Sequence, residues 1–219
     1  MQLPQKKPQL VIFDCDGVLV DSEPIFIRTL QKYLGVGAAG LGVEELQAIC
    51  VGKTRADVEE LLCRLGVAFP PTWPGDFYER LFRAFKDEIR PIPGALYAIS
   101  RIVASGISVC VASNGSKEKV TLLLEHTGLL PFFGDRVYTL NDVGAGKPAP
   151  DLFLHAAGMT GVNVSECVVV EDSISGFRAA EKAAMKCFAF CPLGQGGRNE
   201  YFPAYPFSDM RSLPDLIGT

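Results

Sequence analysis

Two aspartates, Asp14 and Asp16, stand one residue apart at the end of the apolar run Leu10 to Phe13, and Gly17 follows them. Like charges this close need a cation or a shared proton to coexist. Ser113-Asn114-Gly115 ends a second apolar run, Ile107 to Ala112, and Glu171-Asp172 ends a third, Cys167 to Val170. Lys147 lies between the second and third clusters, in Gly146-Lys147-Pro148-Ala149-Pro150-Asp151. These side chains are the set that phosphoryl transfer needs. One carboxylate can attack phosphorus and form an acyl phosphate. A second carboxyl can protonate the leaving group and then take a proton from water. A hydroxyl and an ammonium can hold phosphoryl oxygens and offset their charge. The remaining acids, with the nucleophile, can bind Mg²⁺, whose preferred ligands are oxygens.

To act together these groups must converge, and that constrains the elements around them. Leu10 to Phe13 has no polar alternation, which suits a strand buried on both faces of a parallel sheet. Val137 to Leu140 and Lys186 to Phe190 read as further strands. Helical stripes alternate with the strands: Leu96, Ile99 and Val103, then Val120, Leu123 and Leu124. Pro150 opens another helix, Ser173 is a plausible N-cap for the next, and the tail from Ser212 reads as a short one. Repeated β-α units imply a parallel sheet with right-handed crossovers. The polar clusters then share its carboxyl edge, where open α/β sheets bind ligands. From Glu23 to Arg90 there is no strand candidate. Pro24 opens a helix carrying Ile27, Leu30 and Leu34, and Val43 to Cys50 reads as a short helix. Val58, Leu61, Leu62 and Leu65 form an amphipathic stripe, as do Tyr78, Leu81, Phe82, Phe85 and Ile89. The expected architecture is an α/β core, residues 1–21 and 91–219, interrupted by an all-helical insertion, residues 22–90.

Composition narrows the classes of partner. The chain has 219 residues, 48% hydrophobic and 21% charged, which is ordinary for a globular protein with a sizeable core. A net charge of -4 provides no global positive field to attract nucleic acid. No stretch approaches the ~20 apolar residues of a membrane span. The apolar run after Lys6 and Lys7 is broken by Asp14, so it does not read as a signal peptide. Seven scattered cysteines, an odd number, read as reduced thiols of a cytoplasmic protein. Alternation turns Cys15 away from its acidic neighbours into packing. His126 and His155 have no paired spacing and read as structural or exposed. A monomer is expected, with no nucleic-acid or membrane partner.

The stretch Asp14-Cys15-Asp16-Gly17-Val18-Leu19-Val20-Asp21-Ser22 resembles the first motif of the haloacid dehalogenase (HAD) superfamily, D-x-D-G-x-(L/I)-x-D-(S/T). Ser113-Asn114-Gly115 is similar to its second motif, Lys147-Pro148-Ala149-Pro150-Asp151 to its third, and Glu171-Asp172-Ser173-Ile174-Ser175-Gly176 to its fourth. The resemblance covers the whole chain in order and implies a Rossmann-like core. It also implies roles. Asp14 is the nucleophile, and Asp16 protonates the leaving oxygen and then activates water. Ser113 and the amide of Asn114 hold the phosphoryl oxygens, and Lys147 neutralises charge on the aspartyl phosphate. Mg²⁺ is held by the Asp14 carboxylate, the Asp16 main-chain carbonyl and Asp172, with Glu171 beside it or acting through water. The insertion resembles the small helical cap of the phosphoglycolate phosphatase and β-phosphoglucomutase branch, which closes over small substrates. Within it, Gly52-Lys53-Thr54-Arg55 resembles a specificity turn, so Lys53 or Arg55 would reach a second anionic group on the substrate.

An acid at Asp16 argues against haloacid dehalogenases proper and phosphonatases, which lack one there, and suits release of an alcohol. Phe26 stands where the mutases of this branch carry a histidine, and it cannot handle a proton. The Asp-Cys-Asp-Gly and Cys167–Asp172 stretches resemble bacterial sugar-phosphate phosphatases, including those acting on 6-phosphogluconate. The expected activity is a Mg²⁺-dependent phosphatase of small phosphate monoesters, with a phosphorylated metabolite as its partner. A β-phosphoglucomutase-type mutase and a non-catalytic phosphometabolite-binding protein are the alternatives.

Overall fold

A computed structural model describes residues 7–35, 40–50, 55–192 and 204–219, with the side chains of residues 55, 56 and 204 outside the description. The chain divides into two compact units, Met1–Val20 with Arg90–Thr219, and Asp21–Ile89.

The larger unit is built on β1 (Leu10–Phe13), whose four residues are fully buried. It pairs in parallel with β2 (Ser108–Ser113) on one side and β4 (Cys167–Glu171) on the other. β3 (Val137–Thr139) extends the sheet beyond β2, and β5 (Lys186–Phe190) and β6 (Ala204–Phe207) extend it beyond β4. The order β3-β2-β1-β4-β5-β6 is that of a doubly wound Rossmann-like sheet, which reverses direction beside β1. Phe13 stands level with both Val111 and Val170. Asp14, Ser113 and Glu171 therefore reach the same carboxyl edge.

Side chains alternate across β1. Leu10 and Ile12 belong to the core cluster that includes Phe153 and Phe177. These two come from α8 (Asp151–Thr160) and α9 (Ile174–Lys182). Phe13 meets Phe133 of the short α7 (Leu130–Phe133) edge-on, with ring centroids 6.2 Å apart. Helices α5 (Ala95–Ala104) and α6 (Lys117–His126) and α10 (Leu213–Leu216) complete the α-helices among this unit's described residues. The buried face of α5 is Ala95, Ala98, Ile99 and Ile102, while Leu96 and Val103 are exposed. Ile99 of the expected stripe is buried, and the stripe is corrected by about a quarter of a turn. Ala95 and Ala98 let the helix approach closely and share the inner face with Ile99 and Ile102. β6 and α7 are absent from the sequence reading. Pro206 interrupts the strand pattern, which is tolerable only because β6 lies at a sheet edge.

The smaller unit is helical: α1 (Glu23–Leu34), α2 (Val43–Cys50), α3 (Arg55–Arg64) and α4 (Gly75–Glu88). Its aromatic residues pack together. Phe77 is fully buried, with ring centroids 5.5 Å from Phe26, 5.7 Å from Tyr33 and 5.0 Å from Trp73. Leu65, expected in the buried stripe of α3, lies past the helix end and is 49% exposed. Arg28 and Glu88 join α1 to α4 through a 2.7 Å ion pair. No described helix is long and apolar enough to cross a membrane.

Candidate active site

Asp14 follows β1 directly, and its main-chain amide continues the ladder by donating to Val170 at 3.0 Å. Its carboxylate faces Lys147, whose Nζ lies 2.5 Å from Asp14 Oδ1 and 2.7 Å from Glu171 Oε1. All three side chains are nearly excluded from solvent. Lys147 also lies over the Phe153 ring, 4.9 Å from its centroid. Burial pushes the Asp14 carboxyl up to about 7, helped by the charges of Glu171 and Asp16 and resisted by Lys147. Burial works downward on Lys147, but Asp14 and Glu171 outweigh it and hold the ammonium well above its ordinary range.

Glu171 has a second set of partners. Its Oε2 accepts from the amides of Asp172 (2.9 Å) and Ser173 (2.8 Å) and from Ser173 Oγ (2.9 Å). Ser173 Oγ in turn accepts from the Gly176 amide at 3.0 Å, so Ser173 caps α9 as the sequence suggests. Gly176 is required here, because a Cβ would sit 1.9 Å from the Glu171 carboxyl carbon. Gly17 is required for two reasons: its φ is +80°, and a Cβ would approach Asp172 Oδ2 to 2.3 Å. The loop after β1 and the end of β4 are thereby brought into contact.

The second cluster contributes in two ways. Ser113 Oγ accepts from the Gly115 amide at 3.1 Å, leaving its own O–H as a donor. The Asn114 side chain clasps the main chain of Lys147: Nδ2 donates to the Lys147 carbonyl at 3.0 Å, and Oδ1 accepts from the Lys147 amide at 2.8 Å. The sequence reading gives Asn114 a role only through its amide; the clasp needs the fold to bring β2 and the Lys147 loop together.

Asp16 pairs with a residue the sequence reading missed. Lys119 Nζ donates to Asp16 Oδ1 at 2.8 Å and to Oδ2 at 2.9 Å. Lys119 sits in the first turn of α6, where the helix dipole disfavours a cation. Charge in that turn does not single it out, since Lys117 shares the turn and donates to the Val137 carbonyl. Cys15, between the two acids, is fully buried, and burial with the Asp16 and Asp14 charges pushes its thiol well up, so it is no nucleophile. His126 is exposed, and His155 packs edge-on against Tyr138.

The fold therefore gathers Asp14, Asp16, Ser113, Asn114, Lys147, Glu171 and Asp172 at one sheet edge. Lys53 and the side chain of Arg55 lie outside the described residues. Asp14, Glu171 and Asp172 each offer a carboxylate oxygen, all within 4.8 Å of one another. An all-oxygen, acidic donor set fits Mg²⁺, and a cation there would offset the repulsion from Glu171 and Asp16 that adds to the effect of burial on Asp14.

The family model described as haloacid dehalogenase-like hydrolase matches residues 8–184. The chain is 30% identical over 210 residues to 6-phosphogluconate phosphatase of Escherichia coli, covering 95% of this chain and 94% of that protein. It is 29% identical over 180 residues to the fructose-1-phosphate phosphatase of the same organism, covering 80% and 92%. A HAD family hydrolase from Deinococcus radiodurans, solved with bound phosphate and sodium, superposes with a TM-score of 0.80 at 26% identity, covering 97% and 99%. A β-phosphoglucomutase-like structure from Thermotoga maritima, 22% identical, shares the fold with a TM-score of 0.81 over 95% and 98%. By its motifs, its sheet and these relatives, the chain belongs to the haloacid dehalogenase-like hydrolase family.

Proposed function

We propose that the protein is a Mg²⁺-dependent phosphatase of small phosphate monoesters, sugar or sugar-acid phosphates, acting through an aspartyl phosphate on Asp14. The observation that carries this reading is the buried triad Asp14–Lys147–Glu171, with Asp16 two residues from the nucleophile. A protein that only binds has no use for a nucleophile and a second acid so placed. The sugar-phosphate class is supported by the two Escherichia coli relatives.

In the first step an Asp14 carboxylate oxygen attacks phosphorus. The bond from phosphorus to the ester oxygen breaks, its electron pair goes to that oxygen, and Asp16 supplies the proton, releasing an alcohol. In the second step Asp16, now a carboxylate, takes a proton from water as the water oxygen attacks phosphorus. The acyl phosphate bond breaks, returning its electrons to the Asp14 carboxylate and releasing phosphate. Ser113 and the Asn114 amide hold the transferring oxygens, and Lys147 offsets their charge. Glu171 holds Lys147 through one oxygen and the loop into α9 through the other. Mg²⁺, held by Asp14, Asp172 and the Asp16 carbonyl with Glu171 alongside, would supply further neutralisation of phosphoryl charge. Phe26, packed against Phe77, offers no proton-handling group and supports a phosphatase over a mutase.

In this reading the helical unit acts as the cap, and Lys53 or Arg55 contacts a distal anion on the substrate. All seven cysteines are free thiols, which supports a cytoplasmic enzyme, and it would work as a monomer.

Phosphate release is to be measured from 6-phosphogluconate, fructose 1-phosphate, phosphoglycolate and β-glucose 1-phosphate, with Mg²⁺ and with chelator. Mg²⁺-dependent release is expected from at least one sugar phosphate. Asp14→Asn should lower turnover by about four orders of magnitude or more, while calorimetry still detects the ester binding. Release that persists in chelator or in the variant would overturn the reading.

A further inference from the structure

We propose that Lys119 is the positioning residue for Asp16, gripping its carboxylate so that it can deliver a proton to the departing alcohol. This rests on the phosphatase reading above.

The two active-site lysines have separate tasks. Lys147 is committed to Asp14 and Glu171. Lys119 spans both oxygens of Asp16 at nearly equal distance, 2.8 and 2.9 Å. The pair is neither buried nor free: 24% of the Lys119 side chain and 32% of the Asp16 side chain remain accessible. A substrate oxygen can therefore reach Asp16, while the grip is shielded enough from water to orient it.

The placement of Lys119 favours this task. It lies in the first turn of α6, where Lys117 points elsewhere and donates to the Val137 carbonyl, while Lys119 turns to Asp16. Its amide is tied to the capping Ser116 Oγ at 3.3 Å. A Cβ on Gly115 would lie 3.3 Å from Ser113 Oγ and 3.7 Å from Lys119 Cδ, so the lysine stem lies against the turn that presents Ser113. One short segment, from Ser113 to Lys119, thus carries both a hydroxyl for the phosphoryl group and the ammonium that holds the acid.

A group that acts only through Asp16 matters in proportion to the leaving group's need for a proton. The parameter kcat/KM reads the reaction as far as phosphoenzyme formation and loss of the alcohol. Two substrates separate the cases: p-nitrophenyl phosphate, whose phenolate leaves unprotonated, and whichever of fructose 1-phosphate and 6-phosphogluconate the wild type hydrolyses. Lys119→Met should lower kcat/KM for the sugar phosphate by about 100-fold, the scale of a misplaced catalytic group, and for the aryl phosphate by no more than about threefold. The ratio from one preparation cancels any loss of folded protein. Lys119→Arg, whose fork can also span a carboxylate, should recover most of the loss. Adding Lys119→Met to Asp16→Asn should cost nothing more for the sugar phosphate, because the two act as one unit. Equal losses on both substrates, no loss on either, or additive losses in the double variant would overturn the inference and leave the phosphatase reading intact. No phosphate release by the wild-type protein would take away both.

Discussion

At Asp14 the site holds an acid in a place that does not suit its charge. Burial, with Glu171 and Asp16 nearby, raises its carboxyl from 3.8 to about 7. The folded value lies above the ordinary one, so folding takes up a proton between them. The contribution of Asp14 to stability is present below about pH 4 and is lost as the pH rises through about 7. A Mg²⁺ ion bound at Asp14 would need the carboxylate and would compete with that proton. Its stabilisation of the protein should therefore be larger at about pH 8 than at about pH 5. At 100 times its dissociation constant it should approach ~2.7 kcal/mol at the higher pH. Melting temperatures with and without Mg²⁺ at the two pH values check this, and an equal or reversed difference would count against a cation at Asp14.

At the scale of elements, the placement of Glu171 depends on how closely α9 approaches the end of β4. Gly176 lies in the first turn of α9, against the Glu171 carboxylate. Gly176→Ala should push Glu171 off Lys147 and lower kcat by about 100-fold. Gly158 in α8 is the control: a Cβ there meets nothing within 4 Å, so Gly158→Ala should keep full activity and stabilise by up to ~1 kcal/mol. Steady-state kinetics and urea unfolding of the two variants make the comparison. Similar losses of activity in both would show that the Gly176 effect is not local.

At the scale of the whole molecule, the chain carries two separately packed units. Phe77 anchors the helical one, touching rings from α1, α4 and the segment between α3 and α4. Phe77→Ala should destabilise that unit by about 3–5 kcal/mol. Hydrogen exchange should then show lost protection in α1 and α4, with the amides of β1, β2 and β4 unchanged. Uniform loss across both units would mean that they unfold as one.

Much of the site was legible in the order of residues. Asp14, Asp16, Ser113, Asn114, Lys147, Glu171 and Asp172 end apolar runs or sit on the loops between them, and a parallel sheet has only one carboxyl edge on which to collect such ends. Local periodicity was enough to separate the helical insertion from the α/β core. Other features depend on contacts between residues far apart in the chain, to which local patterns are blind. Lys119 reaches Asp16 across 103 positions, and Asn114 clasps Lys147 across 33. The inner face of α5 combines Ala95 and Ala98 with Ile99 and Ile102 and leaves Leu96 exposed, because close packing, rather than hydrophobicity alone, decides which side of a helix is buried. The sequence by itself determined which chemical groups are present and the edge they share. Only the tertiary structure decided which ammonium serves which carboxylate, because that pairing is set by distances of a few ångströms between separate elements.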